Sequence, residues 1–260
     1  MKNTDLKQTY DTMHQLGKRA WFDDGQAERK AILEMGQPWE GKTVLEIGCG
    51  EGDLLNMIHE AGGIPHGVDY SAEAIKELWH NYWDKVRKLY ISASCRDWHD
   101  IRLSQQFDVI VMQGVMEHLD DPFAELADMI ERFKPKTVIT SMPGFLNTRG
   151  IIWHTLDMLG AVMSKTDLHF IDPWEVRAFA DKHGYRYRRN SIDMSWGNGK
   201  KMIEDLRERI PLALIDGNIQ SPASHPNMNW NIECFLSWLE KASEYFDQDE
   251  GAINIYRIDL

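Results

Sequence analysis

The chain has 260 residues, 43% of them hydrophobic, and a formal charge of −12. This length can bury a sizeable core without disulfides, and the three cysteines lack both a disulfide framework and metal-ligand spacing. The acidic balance disfavours a nucleic-acid partner, because neutralising phosphates requires clustered lysine and arginine. No apolar run is long enough to span a bilayer, and the first residues lack the apolar region of a signal peptide. We therefore expect a globular protein in a reducing, cytoplasmic setting.

Strand-like and helix-like segments alternate from about residue 42 to residue 190, and one further strand-like run follows near residue 252. The predicted strands are 42–48, 65–69, 90–94, 107–113, 137–142, 185–189 and 252–258. Helices are predicted over 53–61, from Ser71 through Val86, from Asp121 to Lys134, and over 172–184. This alternation indicates a mostly parallel sheet that is covered by helices on both faces.

Two stretches, 145–168 and 194–250, do not fit the alternation, and we interpret them as cap insertions that hold the substrate pocket. Residues 1–40 are predicted to be an N-terminal helical segment, and 1–260 a single domain. Five of the ten tryptophans fall in or beside the inserted stretches: Trp153, Trp174, Trp196, Trp230 and Trp238. They predict either the packed core of a small cap or an aromatic wall of the acceptor pocket. Residues 197–201 are predicted to form a mobile loop.

A glycine-rich loop, Gly48-Cys-Gly50-Glu-Gly52, lies between the first predicted strand and the first helix. Glycines there allow positive φ angles, and the helix start behind them offers free N–H groups to a ligand. Asp69 ends the second strand, where its carboxylate can accept hydrogen bonds from two ribose hydroxyls. Asp53 takes the third small-residue position of a dinucleotide fingerprint, and its charge would repel a pyrophosphate. The acids Glu46 and Asp53 favour a cationic ligand.

The stretch 44–52, together with 67–71, resembles the first two motifs of class I S-adenosylmethionine-dependent methyltransferases. The residues 96–98, 107–122 and 169–176 extend the resemblance to the branch of the ubiquinone-biosynthesis O-methyltransferases. The resemblance covers about residues 40–190 and the last strand. It implies a doubly wound α/β fold with a Rossmann-like, mostly parallel seven-stranded sheet, an antiparallel last strand, and S-adenosylmethionine as cofactor.

The resemblance also implies a set of cofactor-binding residues. They are Glu46, Gly48, Cys49 and Gly50 at the methionine end, Asp69 at the ribose, Tyr70, Asp97 and Trp98 around the adenine, and Gln113 and His118 at the end of the fourth strand. Because the fourth strand is central, side chains that follow it can reach the transferred methyl group.

Methyl transfer is an in-line displacement, and it needs a base only if the acceptor carries a proton at the working pH. The predicted catalytic candidates are His118 and the adjacent Glu117, with His169 and His154 as rivals. Some metal-assisted relatives carry an acid where this chain has Gly114, so no metal is predicted.

We predict a methyltransferase that acts on a small-molecule acceptor, with a hydroxyl as the methylated group. The alternatives are N-methylation of a small metabolite, hydride transfer with a nicotinamide cofactor, and cofactor binding without catalysis. The predicted partners are the acceptor alone, with no nucleic acid and no membrane span, and the sequence does not predict an oligomeric state.

Overall fold

Seven strands form one sheet in the order β3-β2-β1-β4-β5-β7-β6 in this computed structural model, which describes residues 6–7, 10, 25–102, 106–164, 166–217, 228–243 and 250–260. The strands are β1 (Thr43–Ile47), β2 (Ile64–Asp69), β3 (Ser92–Cys95), β4 (Val109–Gln113), β5 (Thr137–Pro143), β6 (Arg186–Ile192) and β7 (Ile253–Asp259). Strands β1 to β5 pair in parallel. The predicted doubly wound α/β class is confirmed.

Strand β7 runs antiparallel to β5, as the resemblance implied. At one end of the pair, the Leu260 N–H donates to the Lys136 carbonyl at 3.0 Å. At the other end, the Gly144 N–H donates to the Ala252 carbonyl at 2.7 Å. Residue numbers increase along one strand while those of the bonded partners decrease along the other, which defines an antiparallel pair.

Besides the helical residues 6–7 and 10, ten α-helices lie within the described parts of the chain. They are α1 (Gln26–Gly36), α2 (Asp53–Glu60), α3 (Ala72–Asn81), α4 (Trp83–Arg87), α5 (Pro122–Phe133), α6 (Thr148–Met158), α7 (Pro173–His183), α8 (Met194–Asn198), α9 (Lys200–Asp216) and α10 (Met228–Ser243). No helix among these described residues is both long and apolar enough to cross a membrane.

The predicted helix starts are confirmed where a polar side chain precedes the first turn. The Asp121 carboxylate accepts from the Ala124 N–H at 3.1 Å and Pro122 takes the first helical position, so both features predicted for α5 are present. The Ser71 hydroxyl likewise accepts from the Ala74 N–H at the start of α3.

The helix predicted from Ser71 through Val86 is wrong in one respect, because it is broken at Tyr82 into α3 and α4. Ile75 and Leu78 face the core as the spacing predicted, but Trp79 is 47% exposed. Trp79 lies before the break, so its exposure is a separate feature, and beyond the break Tyr82 and Val86 still pack against the core around Leu78.

The chain divides into two compact units. The first unit contains Met1–Met142, Pro173–Asn190 and Ile255–Leu260, and the second contains Pro143–Asp172 and Ser191–Asn254. The stretches interpreted as insertions, 145–168 and 194–250, fall within the second unit. Their role as a cap remains a prediction.

The second unit has its own apolar core, built from the helices α6, α9 and α10. Inside it, the Asp205 carboxylate lies 3.3 Å from Arg149 Nε and 3.1 Å from Arg209 Nη2. Both guanidinium groups stack on the Trp153 ring, with carbon-to-centroid distances of 4.0 and 4.5 Å. All four side chains are buried, and the Asp205 carboxylate compensates part of the positive charge of the two guanidiniums within the core.

The prediction for residues 197–201 is wrong, and that of a packed cap core holds for only part of the tryptophans. Trp153 packs in the core, whereas Trp174, Trp230 and Trp238 are exposed, and the aromatic wall of an acceptor pocket remains a prediction. Residues 197–201 are not a loop, because they contain the end of α8 and the start of α9. The Asn198 side chain is buried and donates to the Glu250 carbonyl at 2.7 Å, which fixes this junction.

Candidate active site

A cavity of about 330 Å³ opens in the first unit beside the carboxyl ends of β1, β2 and β4. The carboxyl edge of a doubly wound sheet is where such folds bind ligands. The cavity is lined by Tyr10, Ile47, Gly48, Gly50, Val68, Asp69, Tyr70, Arg96, Asp97, Trp98, His99, Gln113, Gly114, Val115, His118, Leu119, Asp120 and Glu125. Eight of the ten residues predicted to bind the cofactor are in this set.

The glycine loop and Asp69 form one hydrogen-bonded structure at the cavity wall. The Asp69 carboxylate accepts from the Gly50 N–H at 2.9 Å through Oδ2 and from the Ser71 N–H at 2.8 Å through Oδ1. Gly48 has a φ of +69°, and a Cβ there would lie 2.6 Å from Val115. A Cβ on Gly50 would meet no atom within 4 Å, so its backbone faces open space. The loop leaves room for a ligand against its main chain.

Glu46 lies behind the loop and does not line the cavity. Its side chain is 2% exposed, and it accepts a hydrogen bond from the Leu55 N–H in the first turn of α2. Burial raises the pKa of Glu46 well above its usual value, the carboxylates of Asp69 and Asp53 raise it further, and Arg29 opposes them. Its Oε2 atom is buried, and no donor in the described part of the chain bonds to it. A bound cationic group would supply one.

Cys49 also lies outside the cavity lining, because its side chain packs in the core with Leu55, Ile75, Leu78 and Ile91. Burial raises the pKa of the Cys49 thiol well above its usual value. A thiol with a raised pKa is a poor nucleophile, so the side chain serves packing. Only the main chain of Cys49 belongs to the glycine loop, where its N–H donates to the Val68 carbonyl at 3.1 Å.

Polar and aromatic groups follow β3 on one side of the cavity. Asp97 accepts from the His99 N–H at 2.9 Å and also contacts the His99 ring. The Trp98 ring is buried and stacks on His99 with a centroid distance of 3.7 Å. With Tyr70 on the wall as well, this side offers the stacking surfaces and carboxylate acceptor that suit a purine.

The other side of the cavity is formed at the end of β4. His118 and the buried Glu117 belong to a 3₁₀ turn, and His118 Nε2 lies 3.9 Å from Glu117 Oε1. The Tyr10 ring packs edge-on against the rings of His118 and Tyr70, with centroid distances of 5.7 and 6.1 Å. A tyrosine, a histidine and a buried carboxylate therefore meet where the sequence predicted the transferred methyl group.

Three residues of this edge were not predicted from the sequence. Besides Tyr10, the α1 residues Glu28 and Arg29 reach the carboxyl edge. Glu28 Oε2 accepts from Gln113 Nε2 at 2.7 Å, and Arg29 Nη2 lies 3.3 Å from Asp53. Asp53 is thus paired with a cation of the protein, which weakens the argument that it awaits a cationic ligand. The adjacent charges of Glu28 and Arg29 near a helix start could have indicated a functional role. Their partners, Gln113 and Asp53, are distant in the sequence and could not be identified from it.

The rival catalytic histidines lie in the second unit. The exposed His154 ring packs edge-on against Phe145 and Phe170, and His169 is half-buried in the irregular segment between α6 and α7. Their roles remain predictions. No cluster of three or more His, Cys, Asp or Glu side chains within the described ranges is arranged to hold a metal ion.

Residues 20–195 match the family model described as a methyltransferase domain. The match covers more than half of the chain, so the chain belongs to the methyltransferase domain family. The predicted resemblance to class I S-adenosylmethionine-dependent methyltransferases is confirmed, and the chain is an enzyme of that kind.

The similar proteins include two named ubiquinone biosynthesis O-methyltransferase. The protein of Coxiella burnetii is 27% identical over 165 residues, which cover 61% of this chain and 69% of that one. The protein of Hydrogenovibrio crunogenus is 24% identical over 200 residues, which cover 70% and 81%. Among solved structures, phosphoethanolamine N-methyltransferase 2 of Haemonchus contortus, in complex with S-adenosyl-L-methionine, aligns with a TM-score of 0.56 at 17% identity. That alignment covers 90% of this chain and 52% of that one and shows a shared fold.

Proposed function

We propose that this methyltransferase methylates a hydroxyl group of a small molecule at the end of β4. The observation that carries the proposal is the meeting of His118 and Tyr10 in the same cavity as Asp69 and the glycine loop. The names of the relatives in Coxiella burnetii and Hydrogenovibrio crunogenus support an oxygen acceptor.

The residues of the cavity fit S-adenosylmethionine, the cofactor of this family. When bound, this cofactor supplies an electrophilic methyl group on a cationic sulfonium. Each Asp69 oxygen accepts one backbone N–H, and we propose that this carboxylate at the cavity wall also accepts from the ribose hydroxyls. Gly50 leaves space against the main chain. Behind the cavity lining, the buried Oε2 of Glu46, which has no donor among the described residues, would suit a cationic amino group. Tyr70, Asp97 and Trp98 would hold the adenine.

His118 is the proposed general base. It would take the acceptor's hydroxyl proton as the new O–CH₃ bond forms and the S–CH₃ bond breaks, and would later release that proton to solvent. The buried Glu117 carboxylate, 3.9 Å away, favours the imidazolium that this transfer produces. Tyr10, whose ring lies edge-on to His118, is proposed as a positioning residue that limits the rotation of the imidazole.

The proposal is tested by measuring methyl transfer and cofactor affinity for two variants against a panel of phenols and amines. We expect His118→Gln to lower kcat about a hundredfold or more with hydroxyl acceptors, the scale of general-base catalysis, and to remove the pH dependence on the acidic side. Affinity for S-adenosylhomocysteine should change little. Tyr10→Phe is the matched control, because it keeps the ring contact and removes only the hydroxyl.

The second candidate is N-methylation, which the fold shared with the Haemonchus contortus N-methyltransferase favours. An amine acceptor attacks in its neutral form and needs no base in the site. Turnover of amines alone, with full activity in His118→Gln, would therefore replace the O-methylation proposal. If His154→Ala or His169→Ala lost activity while His118→Gln remained active, the general base would be assigned to that histidine of the second unit.

We also propose that the protein works in the reducing cytoplasm and binds no nucleic acid. The free thiols of Cys49, Cys95 and Cys234 and the acidic net charge support this part.

A further inference from the structure

The outer face of α3 and α4 in the first unit exposes aromatic side chains. Trp79 and Trp83 are 47% and 58% exposed, although both are large and apolar. Four residues apart, they border one groove that they share with Lys76, His80 and Cys95. Arg87 follows Trp83 by another four residues, which places it on the same side of α4. This face therefore combines indole rings with a cation.

The turn that ends α4 exposes an aliphatic side chain at a conformational cost. Leu89 has a φ of +59° and is 85% exposed. Its N–H donates to the Val86 carbonyl and the Tyr90 N–H donates to the Lys85 carbonyl, the pattern of a helix end whose left-handed position favours glycine. Leucine is strained in this left-handed conformation. Because the side chain is so exposed, burial of its apolar surface offsets little of that strain. The stability of the folded chain does not account for a leucine at this position.

The net charge of the same region is positive, whereas that of the whole chain is negative. Residues 76–90 contain four lysine or arginine residues and two carboxylates, whereas the whole chain carries −12. Lys76 pairs with Glu73 at 3.2 Å and Lys85 with Glu60 at 2.8 Å. The two cations that matter here are therefore Arg87 and Lys88, which are exposed directly before Leu89. Cations beside an exposed leucine and two indoles match an anionic lipid surface, where headgroups meet acyl chains. Tryptophan and arginine are also enriched in protein interfaces, but lysine is depleted there, so Lys88 beside the exposed Leu89 favours the lipid surface.

We propose that Trp79, Trp83, Arg87, Lys88 and Leu89 form a docking surface for an anionic phospholipid bilayer. Leu89 and the indole rings would enter the interfacial region of one leaflet, and Arg87 and Lys88 would contact lipid phosphates. The chain would attach reversibly, since the apolar surface is small and no span is involved.

The test is co-sedimentation of the full chain with vesicles of phosphatidylcholine alone or mixed with phosphatidylglycerol. The chain should bind the mixed vesicles, bind pure phosphatidylcholine at least about tenfold more weakly, and detach as salt is raised. Leu89→Gly should lower binding about tenfold while the folded state becomes no less stable, because glycine relieves the strained position. Arg87→Gln should lower binding to mixed vesicles about fivefold.

Lys134→Gly is the matched control. Lys134 also ends a helix with a positive φ, of 48°, so the variant relieves the same strain and removes a cation at a different place. It should bind vesicles like the parent chain. Binding that is absent from mixed vesicles, or is unchanged in both Leu89→Gly and Trp83→Ser, would overturn the proposal. If the chain forms a dimer in the absence of vesicles, and Leu89→Gly dissociates that dimer, this face is instead a protein interface. None of these measurements uses methyl transfer, so they stand apart from the proposed function.

Discussion

The two units use charged side chains differently. In the second unit, the buried Asp205 is enclosed by Arg149 and Arg209, and both guanidiniums also stack on Trp153. In the first unit, the half-buried Asp69 binds two backbone N–H groups and lines a cavity. Burial of charge therefore does not by itself indicate a functional site. The position of the carboxylate at a cavity is the more informative feature.

The largest effect is expected from breaking the enclosed network. Asp205→Asn removes the carboxylate that the buried Arg149 and Arg209 share, which should lower the free energy of unfolding by about 3–5 kcal/mol in urea denaturation. The control is Glu204→Gln, which weakens an exposed pair with Lys200 and should cost at most about 0.5 kcal/mol. The affinity of the folded variant for S-adenosylhomocysteine should stay unchanged. A stability loss under about 1 kcal/mol, or a loss of affinity, would remove the contrast between the units.

Asp69→Ala should act on binding more than on folding. The variant loses the carboxylate acceptors proposed for the ribose, so affinity for S-adenosylhomocysteine should fall about a hundredfold, or about 3 kcal/mol, in calorimetric titration. Asp53→Asn changes a carboxylate at the same edge that is paired with Arg29 and lies outside the cavity lining, and its effect should be much smaller. Wild-type affinity in Asp69→Ala would show that the carboxylate only shapes the glycine loop.

The features predicted from the sequence are those set by neighbouring residues. Asp121 and Pro122 define the start of α5 because capping acts within one turn. The glycine loop and Asp69 could be placed together because parallel neighbouring strands end at one edge of the sheet. The same argument placed Gln113 and His118 at the end of β4.

The features missed from the sequence depend on distant contacts. Nothing local to Tyr10 indicates that its ring reaches His118, more than a hundred residues later in the chain. Arg29 could not be paired with Asp53, nor Glu28 with Gln113, before the position of α1 was known. The break at Tyr82 was missed for a related reason, since it depends on tertiary packing rather than on helical period.

The smallest expected effect comes from a partly exposed ion pair in the first unit. Asp108 accepts from Lys136 Nζ at 2.8 Å and from the Thr43 N–H at 3.0 Å, so it joins the starts of β1, β4 and β5. The hydrogen bond from Lys136, followed by that from the Thr43 N–H, lowers the pKa of Asp108 to about 2. Because the folded pKa is below the ordinary value, the stabilisation is present above about pH 4 and is lost as the pH falls toward 2.

Asp108→Asn should therefore lower the free energy of unfolding by about 1 kcal/mol at neutral pH, since solvent screens much of the ion pair. The difference from the parent chain should shrink in denaturation curves measured at decreasing pH below 4. Asp128→Asn, which removes the same charge from an exposed position of α5, should show neither effect. A loss as large as that of Asp205→Asn would mean that this surface pair contributes like a buried one. The difference between the two units would then not follow from whether a charged pair is buried or solvated.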